Sequence, residues 1–140
     1  MNGSILLHRK FDFGFRFFAV VCIAFVLMAV QIQASAQQRF PDVVAAKAIQ
    51  RSGDLVDFDV TVSSPYDTAQ RYADAFRVMD KAGKVYGERV LAHDHADEQP
   101  FTRDLYGVNI PKNVKTVVLQ ARDQKHGYGG KTVEVNLPGR

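Results

Sequence analysis

The residues most able to do chemistry in this chain are its histidines. His93-Asp94-His95 places two imidazoles two residues apart. In an extended segment alternate side chains point the same way, so both rings would share a face, about 7 Å apart at the Cα atoms. His126, in a glycine-rich stretch, is a third nitrogen donor. Three neutral imidazoles suit Zn(II) or Cu(II) and leave an open coordination position. Asp94, Asp97, Glu98 and Asp123 are the carboxylates that would orient a ring or act as a fourth ligand. An H-x-H pair with one distant histidine is not specific by itself. The same residues also suit a different binding role, or rings that bond loop backbone while Asp94 faces solvent.

Other chemistry is less developed. No G-x-S-x-G elbow occurs, and Ser63-Ser64 has no evident partner base. A carboxylate pair for glycoside chemistry could be drawn from Asp67, Asp74 or Glu98, as from any loop-rich end. The chain is therefore expected not to be an enzyme. His126-Gly127-Tyr128-Gly129-Gly130 lacks the following Lys and Ser/Thr of a phosphate loop, so its glycines are expected to permit positive φ in a tight hairpin. Tyr66, Tyr72, Tyr128 and Arg103 form a candidate interaction surface, because tyrosine suits binding loops. The tyrosines could equally cap the core, and Arg103 could pair with Asp94, Glu98 or Asp123.

The beginning of the chain reads as an address. Arg9, Lys10 and Arg16 precede an apolar run from Phe17 to Val30, and Ala34-Ser35-Ala36 follows. A basic start, a short apolar stretch and small residues at −3 and −1 describe a secretory signal peptide, cleaved after Ala36. The run falls short of the roughly 20 residues that span a bilayer core, which speaks against the alternative of a retained anchor. Cys22 lies inside that run rather than at the boundary, which speaks against a lipid-modified terminus. Three of the 18 basic residues and one of the 15 acidic ones precede position 37, leaving 15 against 14 and a net charge of +1 instead of +3. That balance gives no electrostatic footprint for nucleic acid. Without Cys22 the remaining chain has no thiol for disulfides, thiolate ligands or a nucleophile. Periplasmic or secreted localisation is expected, with no stable membrane anchor once the leader is gone.

The elements that must position these residues read as strands. Val56, Phe58, Val60 and Val62 alternate with Asp57, Asp59 and Thr61, apolar on one face and wet on the other. Further strands are expected at 43–50, 75–79, 85–92, 101–108, 114–122 and 132–137, with Phe76 in the central core position and Asp80 to Lys84 as a hairpin turn. The expected organisation is a signal peptide at 1–36, a loose tail at 37–42 and a domain at 43–138. The fold class is all-β: a seven-stranded antiparallel sandwich of the immunoglobulin-like or fibronectin-III-like kind. If successive strands alternate in direction, the loops at 63–74, 93–100 and 123–130 gather at one end, and all three histidines gather with them.

The stretch from Tyr72 to Pro138 resembles a family of small, uncharacterised exported bacterial β-sandwich proteins. The carrying features are Tyr72-Ala73-Asp74, Glu88-Arg89-Val90-Leu91-Ala92-His93, Glu98-Gln99-Pro100-Phe101-Thr102-Arg103, Gly107-Val108-Asn109-Ile110-Pro111 and His126-Gly127-Tyr128-Gly129-Gly130. The resemblance implies fold and export, and it transfers no functional residue. Copper–zinc superoxide dismutases share H-x-H but need more histidines, and superoxide reductases need a cysteine ligand. Two functions stay open: an exported binding module with a loop-end Cu or Zn site, and a structural or protein-interaction module of the cell envelope without metal.

Overall fold

The computed structural model describes residues Gln37–Arg140. The expected signal peptide lies outside the described residues. Seven strands appear among the described residues: β1 Asp42–Gln50, β2 Leu55–Ser63, β3 Ala73–Met79, β4 Val85–Val90, β5 Phe101–Asn109, β6 Thr116–Asp123 and β7 Gly127–Asn136. A single 3-10 turn, Ala96–Glu98, precedes β5. The strands form two antiparallel sheets, one ordered β1-β2-β5 and the other β4-β3-β6-β7. The chain crosses between sheets after β2, β4 and β5.

The period-two pattern explains why the sheets face each other. Val56, Phe58, Val60 and Val62 of β2 are fully buried, as are Phe76 and Val78 of β3 and Val117, Leu119 and Ala121 of β6. Phe101 and Val108 of β5 and Val43 of β1 complete the inner layer. Each large side chain removed from water contributes about 1.5–3 kcal/mol. Asp57 departs from the alternation expected of it. It stands on the outer face yet is only 6% exposed, because Arg51 Nε (2.6 Å) and the Gly107 amide (2.7 Å) both donate to its carboxylate. Those donors hold its pKa below the ordinary carboxylate value, the Gly107 amide first and Arg51 second.

Two expectations need correction. Gly127–Gly130 is not loop but the first part of β7, and residues 37–41 are not a loose tail. Pro41 is fully buried and Phe40 is half-buried. A Cβ on Gly129 would stand 2.4 Å from the Phe40 ring, and one on Gly130 (φ +76°) would stand 2.0 Å from the Pro41 carbonyl oxygen. The glycines are therefore the surface against which the N-terminal segment lies. The Lys131 amide then donates to the Asp42 carboxylate at 2.7 Å. The segment reads as polar and loose in one dimension, and only its tertiary partner makes it ordered. Gly129→Ala should therefore lower stability by about 1–3 kcal/mol through overpacking. In denaturant titrations the loss should shrink in the Phe40→Ala background, where the clash partner is gone.

Candidate recognition surface at the loop-rich end

The strand registers send the loops 64–72, 91–100 and 124–126 to one end of the sandwich, together with the N-terminal segment. The connections 51–54, 80–84 and 110–115 lie at the other. The alternation expected from strand count is thus present. The two ends are built differently. At the second end Asp80 bonds the amides of Ala82 and Lys84 within its own turn, both at 2.9 Å, and the half-buried Arg140 guanidinium donates to the Asp54, Ile110 and Pro111 carbonyls. At the first end, buried polar side chains tie separate loops to one another.

Asp123 is one of these. It is fully buried and accepts hydrogen bonds from the Lys125 (2.9 Å) and His126 (2.8 Å) amides of the β6–β7 turn. Arg71 Nε, from the β2–β3 loop, donates to its other oxygen at 3.0 Å. Arg71 Nη2 donates in turn to the Gln38 and Arg39 carbonyls, at 3.2 and 2.7 Å. Its guanidinium lies 4.1 Å from the centre of the Tyr66 ring. Burial alone would raise the Asp123 carboxyl; the Tyr66 hydroxyl beside it, the two amides and Arg71 outweigh that and hold its pKa below the ordinary value. Burial and the Asp123 charge together push the Tyr66 hydroxyl up, so it stays neutral.

Asp67 ties the β2–β3 loop to the β4–β5 loop. It is 6% exposed and accepts from the Ala73 amide (3.0 Å) and the His95 amide (3.1 Å). Gln99 makes a second tie: its oxygen accepts from the Ser64 amide (2.7 Å), while its nitrogen donates to Ser64 Oγ and the His95 carbonyl, both at 3.1 Å. The sequence marked Asp67 only as a spare carboxylate and gave Ser64 and Gln99 no role. The available signal was their position in loops long enough to leave backbone amides in need of acceptors.

The histidines are placed differently from a three-nitrogen site. His95 is buried, its ring stacked on Phe101 with centroids 3.9 Å apart and on exposed His93 at 4.9 Å. Its Nδ1 is buried and unpartnered, and its Nε2 lies 4.0 Å from Glu98. His126 packs edge-on against Phe40 instead, 6.2 Å between centroids. Among the described residues no group of three or more His, Cys, Asp or Glu side chains is placed to hold a metal ion. The expected convergence fails because His126 packs on Phe40, while His95, in the irregular stretch after β4, is buried against Phe101. The surrounding carboxylates are also committed elsewhere: Glu98 to Arg103, Asp94 to the Ala96 amide and Asp123 to the loop ties, while Asp97 is exposed. Burial is the main influence lowering the His95 pKa, with Arg103 adding to it.

Of the expected interaction residues, Tyr72 reaches the Ala92 carbonyl at 3.4 Å and Arg103 pairs with Glu98. Tyr66 is covered by Arg71. Tyr128 belongs to a different surface, on the four-stranded sheet, where its hydroxyl donates to Glu88 and Arg77 lies 3.8 Å over its ring. Arg122 there grips Asp74 through two hydrogen bonds, 2.8 and 3.2 Å.

No protein-family model matches this chain. A protein of Halomicrobium mukohataei named "Putative lipoprotein" is 36% identical to it over 98 residues, 70% of this chain and 48% of that protein. The chain spans about half the length of the curated relative it matches.

Two outcomes test the site. Asp67→Ala strands two buried amides, each worth about 1–3 kcal/mol, so urea titration should show a loss in that range or somewhat above it. His95 is favoured neutral in the fold, so unfolding takes up a proton once pH drops below its unfolded pKa of about 6.5. Stability from this group is present above that pH and declines toward pH 5. His95→Phe keeps the ring stack and removes the orphan nitrogen. Its urea midpoint at pH 7 should match or exceed that of the parent, and the decline between pH 6.5 and 5 should flatten by the share due to this group.

Proposed function

We propose that this chain is an exported, non-enzymatic recognition domain of the cell envelope, built as an immunoglobulin-like or fibronectin-III-like sandwich, which contacts another protein through its loop-rich end. The observation that carries this reading is the cross-loop bracing. Asp67 and Gln99 each bond backbone from more than one segment, and Asp123 joins the backbone of its own turn to the Arg71 side chain of the β2–β3 loop. Loops fixed before contact lose less entropy when a partner arrives, and preorganisation of this kind is what binding loops need. The same bracing supports a non-enzymatic role, since the buried carboxylates spend their lone pairs on loop amides.

Sheets ordered β1-β2-β5 and β4-β3-β6-β7, with chain crossings between them, support the sandwich type. Export is supported by the leader pattern of Arg9, Lys10, Arg16 and Ala34-Ser35-Ala36, and by the name carried by the relative from Halomicrobium mukohataei. Burial of His95 and separation of His126 favour the form of this function without Cu or Zn.

The test is site-specific photo-crosslinking in exporting cells. A photoreactive residue at exposed His93 should yield a discrete adduct with an envelope protein, while one at exposed Lys112, on the opposite end, should not. Adducts equal at both positions, or at neither, would count against recognition by the loop-rich end.

A further inference from the structure

The N-terminal segment is held by its backbone and by Phe40, and its first residue is left exposed. Gln38 donates its side-chain amide to the Phe40 carbonyl at 2.8 Å, and Arg71 holds the Gln38 and Arg39 carbonyls. Gln37 stands just outside that grip, exposed, the first of the described residues. Cleavage after Ala36 would make Gln37 the terminal residue, with a free α-amine next to its own carboxamide.

We infer that Gln37 is a modification site, converted to N-terminal pyroglutamate once the leader is removed. The inference rests on the export reading above. The neutral α-amine attacks Cδ of its own side chain, forming the five-membered lactam N–Cδ bond. The Cδ–Nε2 bond breaks, and the leaving nitrogen takes up the amine proton and departs as ammonia. No oxidant or co-reactant is required.

The fold gives the modification a purpose. Phe40 and Pro41 cover Gly129 and Gly130, and Arg71 finds two of its acceptors in Gln38 and Arg39. Aminopeptidases require a terminal amine. The lactam removes it, so trimming cannot begin and the segment that closes this side of the sandwich is retained.

The test is intact-mass measurement and N-terminal sequencing of the full-length protein after export from bacterial cells. The expected mass is that of residues 37–140 less one ammonia. Sequencing should be blocked until pyroglutamyl aminopeptidase exposes Gln38. Gln37→Asn, whose side chain could close only a four-membered ring, should give a full-mass, readable terminus. A parent protein that begins at Gln37 with full mass and reads freely would overturn the modification while leaving export intact. A terminus at a neighbouring residue would overturn the modification alone, and a chain that keeps residues 1–36 would overturn the export reading as well.

Discussion

The organisation of the loop-rich end depends on one buried carboxylate. Asp123 closes β6 and lies where the β6–β7 turn, the β2–β3 loop and the N-terminal segment meet. A charge there is costly to bury, and burial is the largest influence on its titration. It remains ionised because it is fully supplied with donors: two amides and a guanidinium. Arg71 carries the effect outward, since the group that neutralises Asp123 also fixes the Gln38 and Arg39 carbonyls. Removing one partner of such a pair leaves the other uncompensated, a loss of about 3–5 kcal/mol.

The two faces of the problem, core and loops, are solved by different chemistry. The core is valines, phenylalanines and leucines at alternate positions, and any sandwich of this size could use it. The loops cannot bury enough apolar area to order themselves, so they borrow acceptors from Asp67, Gln99 and Asp123. Along the β1–β7 side a third solution appears, in which two glycines give up side chains so that Phe40 and Pro41 can lie flat. The result is an end whose backbone is fixed by buried groups while side chains such as His93, Asp97 and His126 remain outside.

Period-two alternation was legible from the sequence, and with it the seven strands, their antiparallel order and the gathering of the long loops. Phe76 reached the core as expected, and Arg103 found Glu98. The site was legible only in part. His93-Asp94-His95 identified the right loop, but alternation at a strand end says which residues share a face and not which face is buried. His95 is under the loop and stacked on Phe101, six residues further along the chain. Asp57 read as a solvated acid and Asp67 as a spare loop carboxylate because their donors, Gly107 and His95, are distant in sequence. The N-terminal segment misled for the same reason: its order resides in Gly129, Gly130 and Arg71 and leaves no periodic mark of its own.

Native-state hydrogen exchange on Asp123→Asn tests most directly whether the loop-rich end is one braced unit. The account predicts that the amides of Lys125, His126, Thr68 and Arg71 lose protection together, while Lys84 in the Asp80 turn, which is bonded within itself, keeps its own. Loss confined to Lys125 and His126 would contradict it, because the carboxylate would then hold only its own turn. Equal loss at both ends of the sandwich would contradict it as well, since Asp123 would then matter to global stability and not to the loops it joins.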